Sequence, residues 1–153
     1  MDKQYQRNLF TRRWRDAENA SIKETALQIQ LVTMLRWCLR PDVLFWHTPN
    51  GEVRDPRTAA KLKAMGTLPG VPDLQFHWSE IIKPLRGADI KVRRVLHLEL
   101  KVGTRPQTEG QAAFALAVKL MGDDYEIART IDEAIAILTA HGLLRKDVKI
   151  ACA

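Results

Sequence analysis

The sequence has few of the residues on which disulfide-rich and zinc-binding proteins depend. Only two cysteines, Cys38 and Cys152, occur among its 153 residues. They are far apart and follow no metal-ligand spacing, so neither a zinc site nor a disulfide framework is supported. Cys38 lies within an apolar stretch of helical periodicity, which is typical of a small core residue.

Long apolar segments are also missing. No run of about 18 apolar residues, the length that spans a membrane, occurs in the chain. The segment 1–15 is polar and basic and contains no apolar core of a signal peptide. We therefore expect a cytoplasmic protein that has no membrane partner.

The composition favours a single basic globular domain. Hydrophobic residues make up 46% of the chain, which is enough for a core, and 153 residues is a usual size for one domain. The 24 Lys and Arg residues outnumber the 18 Asp and Glu residues, which gives a formal net charge of +6. Such a charge suits a polyanionic partner such as nucleic acid, although a mildly basic protein without that partner has the same composition.

Periodicity along the chain predicts alternating helices and strands. Capping-box sequences open three of the helices, and proline and glycine residues separate the elements. The order is helix, strand, small helix, two strands, helix, strand and helix, which predicts an α/β domain with a mixed central sheet flanked by helices. The predicted elements lie at residues 21–39, 43–47, 56–65, 73–78, 95–102, 108–121, 125–129 and 130–138.

Three segments fall outside this pattern. Residues 1–20 are predicted to form an arm, and residues 142–153 a tail with a marginal strand at 148–150. The stretch 79–92 contains proline, glycine and several basic residues and is predicted to be a long hairpin connection or a surface excursion. The predicted domain therefore covers residues 21–141.

Two charged side chains of the strand over 95–102 point in the same direction. Glu99 and Lys101 lie two residues apart, which places them on one face of a strand. Asp73 begins another strand directly after the rigid turn Gly70-Val71-Pro72. Carboxylates at the ends of neighbouring strands are well placed to meet in one cleft.

This set of residues suits the hydrolysis of a phosphodiester bond. Mg²⁺ prefers carboxylate, carbonyl and water ligands, so Asp73, Glu99 and the backbone carbonyl of Leu100 are candidate metal ligands. Lys101 could hold the attacking water or neutralise the phosphate. The alternative is that Glu99 and Lys101 form an ordinary surface ion pair and that Asp73 is only a turn residue.

Glu24 and Gln111 each allow two interpretations. Each occupies the third helical position of a capping box, where its side chain would bond the backbone N–H of the capping residue. Alternatively, Glu24 reaches the metal cluster through water, and Gln111 orients the nucleophile or Lys101. The local pattern alone favours the capping role.

Polar and basic residues around these acids are candidates for contacts with nucleic acid. Basic side chains neutralise phosphates. A histidine at the end of a strand can instead bond the backbone, and a surface lysine or arginine is often only solvated. The candidates are His47, Asn50, Lys61, Lys63 and Arg105.

Taken together, the ordered residues resemble the VRR-NUC family of virus-type replication-repair nucleases, within the PD-(D/E)XK nuclease superfamily. The resemblance runs from about residue 24 to residue 138. It is carried by Glu24, His47-Thr48-Pro49-Asn50-Gly51, Gly66, Gly70-Val71-Pro72-Asp73-Leu74, Glu99-Leu100-Lys101, Gln111 and Gly122. It implies a restriction-endonuclease-like core in which Asp73 and Glu99 bind Mg²⁺ or Mn²⁺, Lys101 is the catalytic lysine, and Glu24 and Gln111 complete the site.

The resemblance also implies DNA as the substrate and cleavage that leaves 5′-phosphate and 3′-hydroxyl ends. We expect an endonuclease selective for branched, flap or junction DNA, such as Holliday junctions, in replication, repair or recombination. A homodimer is expected because small nucleases of this superfamily often pair to cut two strands. One alternative is a non-catalytic nucleic-acid-binding module of the same fold. Another is a plain globular protein in which these motifs occur by chance.

Overall fold

The computed structural model describes residues 23–49 and 55–147. The predicted arm over residues 1–20, the candidate Asn50 and the marginal strand over 148–150 lie outside the described residues. In the described ranges, no helix is long and apolar enough to cross a membrane.

Helices and strands alternate along the described part of the chain. Helix α1 covers residues 23–38. It is followed by β1 (Leu44–His47), α2 (Pro56–Ala64), β2 (Leu74–Ile82), β3 (Ile90–Leu100), α3 (Glu109–Leu120), β4 (Asp124–Ala128) and α4 (Ile131–Ala140). This order is the one that the periodicity predicts.

The strands form one mixed sheet in the order β1-β2-β3-β4. β1 and β2 pair antiparallel, as do β2 and β3, while β3 and β4 are parallel. A parallel pair requires a crossover connection, and α3 supplies it. The mixed sheet flanked by helices that the sequence predicts is therefore confirmed.

One face of the sheet carries the main core. Along β2, Leu74, Phe76 and Trp78 are buried, while the residues between them are only partly covered. Leu96, Leu98 and Leu100 of β3 belong to the same cluster. Helices α1 and α4 cover this face with Leu31, Leu35, Cys38, Ala134 and Leu138.

The opposite face is only half covered. Helix α3 packs Phe114 and Val118 against Tyr125 of β4, and Phe114 meets the ring of His97 on β3 edge-on, with the ring centroids 5.5 Å apart. On β1 and β2 the side chains of this face are partly or fully exposed. The half-covered face leaves a polar, accessible surface next to the predicted site.

The β2–β3 hairpin is longer than the sequence suggested. The prediction of a connection over residues 79–92 is wrong for half of that segment, because the ladder continues beyond Trp78 to the pair Ile82 and Ile90. Isoleucines on both strands favour extended backbone. The charged residues, which are typical of a loop in the sequence, belong instead to an exposed two-stranded ribbon. Only residues 83–89 connect the two strands.

The residues that follow α4 pack against the rest of the fold. Leu143 is fully buried, and Leu144 forms a β-bridge with Leu39. The N–H of Arg145 donates to the carbonyl of Cys38 at 2.8 Å. The first part of the segment predicted as a tail is thus attached to the end of α1.

The turn before β2 lies directly against the start of α3. Gly70 has a φ of +79°, and a Cβ atom placed on it would overlap the backbone of Gly110 and Gln111. Glycine suits this position for two reasons: its φ is in the left-handed region, and the helix backbone occupies the space of a side chain. The turn therefore sets how close Asp73 lies to the first turn of α3.

We expect Gly70→Ala to destabilise the protein by about 3 kcal/mol or more, because it adds a backbone overlap to the cost of a positive φ. Gly66→Ala is the matched control. Gly66 has a φ of +92°, but nothing lies within 4 Å of a Cβ atom there, so a loss of about 1–2 kcal/mol is expected. Urea unfolding measures both variants. Equal losses would show that Gly70 is needed for its backbone angle alone.

Candidate active site

The ladder between β2 and β3 ends at a proline. Its register pairs Leu74 with Leu98, so the next hydrogen-bonded pair would join Pro72 and Leu100. Pro72 has no N–H and cannot donate to the Leu100 carbonyl. Regular pairing therefore stops where the two strands reach the predicted site.

Asp73 takes over a bond at the end of this ladder. Its Oδ2 accepts the Leu100 N–H at 2.8 Å, and its backbone carbonyl accepts the Thr48 N–H at 3.0 Å. His47 Nδ1 lies 2.8 Å from the same carbonyl. Because a carbonyl only accepts, Nδ1 carries the hydrogen. These bonds fix the Asp73 carboxylate against the end of β3.

Glu99 and Lys101 are buried together. Glu99 is 3% exposed and Lys101 is 9% exposed. Oε1 of Glu99 accepts from Lys101 Nζ at 3.1 Å and from Gln111 Nε2. A surface ion pair is solvated and weak, so that alternative does not describe a pair held inside the protein.

The amide of Gln111 makes the predicted capping interaction and a second hydrogen bond to Glu99. Its Oε1 accepts the Thr108 N–H at 2.9 Å, and its backbone N–H donates to Thr108 Oγ1 at 3.3 Å, which completes the capping box. Its Nε2 donates in another direction, to Glu99. Because the cap fixes the amide, the start of α3 sets the orientation of Nε2 toward Glu99.

Glu24 connects α1 to the residues just after β3. Its Oε1 accepts the Val102 N–H at 3.3 Å. The capping interaction predicted with Ser21 lies outside the described residues. Glu24 thus approaches the same end of the sheet as the other two acids, and its charge contributes to the raised pKa of both Asp73 and Glu99.

Asp73 and Glu99 hold their protons more tightly than free carboxyl groups do, because the pKa of each is raised. Burial is the main cause of the raised pKa of Asp73. Burial and the nearby charge of Asp73 raise the pKa of Glu99 to about 7, against the lowering effect of Lys101. Two carboxylates in a poorly solvated site repel each other. A cation bound between them would remove that repulsion.

The site offers a small set of hard oxygen donors. Within residues 23–49 and 55–147, no three His, Cys, Asp or Glu side chains converge as metal ligands. Asp73, Glu99 and the Leu100 carbonyl remain as donors. Magnesium usually completes its shell with water and substrate phosphates rather than with an all-protein cage. These residues therefore fit Mg²⁺ or Mn²⁺ better than a structural zinc ion.

The candidate contacts with nucleic acid are spread over several elements. His47 lies at the end of β1, next to the acids. Lys61 and Lys63 lie on α2, which buries none of its residues. Arg105 lies in the loop that follows β3. Their binding roles, and that of Asn50, stay predictions.

Arg129 is a site-forming residue that sequence reasoning missed. Its guanidinium donates to the carbonyls of Gly103 at 2.6 Å and Arg105 at 3.0 Å, and its backbone N–H donates to Glu133 at 2.6 Å. The loop that follows Lys101 is thereby tied to the end of β4. No local motif marks such long-range bonds, and only the position of Arg129 at a strand end hints at them.

Two further polar groups near Glu99 were also missed. Tyr125 Oη and Gln107 Nε2 are buried, and among the described residues neither makes a hydrogen bond of good geometry. Burial and the charge of Glu99 raise the pKa of Tyr125 to about 12, so its hydroxyl stays protonated. Buried polar groups of this kind usually bind ordered water. Such water would lie beside the acids.

The fold is shared with a solved protein. No protein-family model matches the chain, and no curated protein matches it either. A solved structure described as a VRR_NUC domain protein is similar over 78% of this chain and 88% of its own, with a TM-score of 0.55 and 24% sequence identity. The chain has the VRR-NUC fold.

The restriction-endonuclease-like core expected from the sequence is therefore confirmed. At this identity the similarity concerns the fold. The roles of Glu24, Asp73, Glu99, Lys101 and Gln111 stay predictions, although the structure brings these five side chains to one end of the VRR-NUC sheet.

The raised pKa of Glu99 has a consequence for the stability of the metal-free protein. The ordinary pKa of a glutamate is 4.5, and the pKa of Glu99 in the folded protein is about 7. At a pH between these two values, the unfolded chain has released the Glu99 proton while the folded protein still holds it. Stability therefore falls as the pH rises through this window, by about 2 kcal/mol from roughly pH 5.5 to 8 for this group. Asp73, whose pKa is also raised, acts in the same direction.

Glu99→Gln should remove this part of the pH dependence and stabilise the metal-free protein at high pH. Urea unfolding in EDTA at several pH values measures the effect. Glu80→Gln is the matched control, because hydrogen bonds from Trp78 and Arg94 lower the pKa of Glu80, so it titrates below this window. A Glu99→Gln variant with the full wild-type slope would contradict the expected pKa.

Proposed function

We propose that the chain is a metal-dependent nuclease that hydrolyses phosphodiester bonds in DNA. The convergence of Asp73, Glu99 and Lys101 at the end of the β2–β3 ladder carries this proposal. Buried charges are costly to hold together, and groups with perturbed pKa values are enriched at functional sites. The fold shared with a VRR_NUC domain protein supports the same function.

Mg²⁺ or Mn²⁺ would be held by Asp73, Glu99 and the Leu100 carbonyl. One oxygen of each acid already has a protein partner: Asp73 Oδ2 accepts from the Leu100 N–H, and Glu99 Oε1 accepts from Lys101. The other oxygens, Oδ1 and Oε2, are the atoms we assign to the metal. When bound, the metal would polarise a phosphoryl oxygen and lower the pKa of a coordinated water.

The side chains of the protein would orient the reacting groups. Lys101, 3.1 Å from Glu99, would place a positive charge beside the phosphate or hold the attacking water. Gln111 fixes the Glu99 carboxylate from the start of α3, and Glu24 fixes the backbone at Val102. Gln111 and Glu24 act through other groups, so we assign them as positioning residues.

The substrate we propose is branched, flap or junction DNA, cut endonucleolytically in replication, repair or recombination. The net charge of +6 suits a DNA partner. A homodimer would let two domains of this small size cut two strands. Cleavage is expected to leave 5′-phosphate and 3′-hydroxyl ends.

A non-catalytic nucleic-acid-binding module is the second candidate. The observation that favours it is that no three ligand side chains converge within residues 23–49 and 55–147. It predicts binding with a steep salt dependence and no cleavage with Mg²⁺ or Mn²⁺. Cleavage assays therefore separate the two candidates.

The purified protein should cut flapped or four-way-junction DNA with Mg²⁺ or Mn²⁺ and not in EDTA. Asp73→Asn and Lys101→Met should each lower the rate by roughly 100-fold or more, because the first weakens the proposed metal site and the second removes a positive charge beside the phosphate. Glu80→Gln and Lys119→Met change charges away from the site and should keep the rate within about twofold. Equal cutting by Asp73→Asn and the wild type would refute the site. Binding without cutting by the wild type would favour the second candidate.

Thr108→Ala and Gln111→Ala separate the capping role of Gln111 from its role at Glu99. Each variant should lose about 1 kcal/mol of stability, because each opens the capping box. Only Gln111→Ala also removes the hydrogen bond to Glu99, so only this variant should lower the cleavage rate, by roughly 10- to 100-fold. Parallel urea unfolding and cleavage assays measure both quantities. Equal cleavage rates in the two variants would assign Gln111 to the helix cap alone.

A further inference from the structure

The uncovered half of the sheet carries an aromatic pair. Trp46 of β1 and His77 of β2 lie on the face that α3 leaves open, with ring centroids 4.6 Å apart. Trp46 is 38% exposed. An exposed indole supported by a second ring offers a flat apolar surface on which another planar group can stack.

Arg93 of β3 adds a positive charge to this pair. Its Nη2 lies 2.9 Å from His77 Nδ1. Because a guanidinium only donates, Nδ1 is the acceptor and the ring hydrogen is on Nε2, which makes His77 a neutral imidazole. Burial and the charge of Arg93 lower the pKa of His77, in agreement with this state. The charge of the cluster is therefore that of Arg93, which is exposed.

A cavity of about 400 Å³ opens beside these residues, and Ser79, Lys91 and Arg93 line part of it. It thus brings two cations and a hydroxyl group to one place. Asp42 also lines the cavity, but hydrogen bonds from Arg40 hold its carboxylate and lower its pKa. With this acid already paired, the remaining charges favour an anionic ligand.

We propose that Trp46, His77, Lys91 and Arg93 form a binding site for an unpaired nucleotide of single-stranded DNA, here called the stacking site. The base would stack on Trp46, and the phosphate would bind Arg93 and Lys91. Aromatic stacking combined with basic backbone contacts is how proteins hold single strands without reading their sequence. This inference rests on the proposed function, since it takes DNA as the partner.

The stacking site lies on the same sheet face as the acids. Asp73, Gln75 and His77 follow one another on the partly exposed face at the start of β2, and four residues of a strand span about 13 Å. That distance corresponds to about four nucleotides of B-form DNA at roughly 3.4 Å per base. The unpaired nucleotide would therefore lie within a few nucleotides of the scissile phosphate. Flap and junction substrates can supply such a nucleotide, whereas a continuous duplex cannot.

A second copy of the chain is the other occupant that this surface could take. Leu44, which is 65% exposed, extends the apolar surface next to Trp46. However, a two-fold dimer through this surface would bring Arg93 and Lys91 of both copies into one interface. Like charges facing each other oppose association, whereas DNA phosphates would be attracted.

Binding measured in EDTA tests the stacking site without cleavage. Fluorescence anisotropy would give the dissociation constants of a labelled oligo(dT), of an abasic backbone of the same length and of a duplex. Trp46→Ala should weaken oligo(dT) binding roughly tenfold or more and change the affinity for the abasic backbone less than twofold. Arg93→Ala should weaken the binding of both single strands, because it removes a phosphate contact.

Trp37→Ala and Arg36→Ala are the matched controls. Both residues lie on α1, which covers the other face of the sheet, and Trp37 is 75% exposed. Neither control should change oligo(dT) affinity more than twofold. Trp46→Phe keeps an aromatic ring and should recover most of the affinity that Trp46→Ala loses, which separates stacking from a folding defect.

Three results would overturn the stacking site. The first is an equal effect of Trp46→Ala and Trp37→Ala on oligo(dT) binding. The second is an equal loss of oligo(dT) and abasic affinity in Trp46→Ala. The third is a change from dimer to monomer in Trp46→Ala, seen by sedimentation, with oligo(dT) affinity unchanged, which would assign the surface to a second copy.

Failure of the stacking site can be told apart from failure of the nuclease assignment. If Trp46→Ala loses oligo(dT) binding while the wild type does not cut with Mg²⁺ or Mn²⁺, the stacking site stands and the nuclease assignment falls. If the wild type cuts and Trp46→Ala binds oligo(dT) as the wild type does, the stacking site alone falls.

Discussion

The hydrogen bond from the Leu100 N–H to the Asp73 carboxylate joins the fold to the site. Pro72 has no N–H to donate to the Leu100 carbonyl, so the antiparallel ladder ends there. The Leu100 N–H, which a backbone carbonyl would accept in a longer sheet, donates to a side-chain oxygen of Asp73 instead. The sheet itself, rather than a flexible loop, then fixes the position of the acid. Metal sites and catalytic sites need this rigidity, because small displacements of the reacting groups are costly.

Holding a second acid next to Asp73 has a cost that the protein offsets only in part. Lys101 and Gln111 both donate to Glu99 Oε1, and each stabilises the ionised form. Burial and the charge of Asp73 outweigh them, since the pKa of Glu99 is still raised to about 7. An incompletely compensated pair of acids is the arrangement that gains most from a bound cation. The raised pKa of Glu99 therefore supports the proposed metal site.

The sequence predicted those parts of the structure that depend on short-range periodicity. The alternation of β3 placed Glu99 and Lys101 on one face, as observed. The end of the hairpin was missed because its isoleucines pair only across the ribbon, while its proline, glycine and charges look like a loop. The bonds of Gln111 to Glu99 and of Arg129 to Gly103 join residues 12 and 26 positions apart. No local pattern encodes such bonds, because the fold creates them.

The half-covered sheet face explains why the acids lie where they do. Helix α3 covers β3 and β4, and its first turn reaches the acids through Gln111. On this covered side, water is excluded and the carboxyl groups hold their protons more tightly. On the uncovered half of the same face, the side chains of β1 and β2 are accessible and can bind a polyanion. The close approach of Gly70 to Gly110 sets the position of the boundary, because any larger residue at Gly70 would push the helix away. An acid at this boundary can be buried enough to have a raised pKa and still reach a phosphate from the open side.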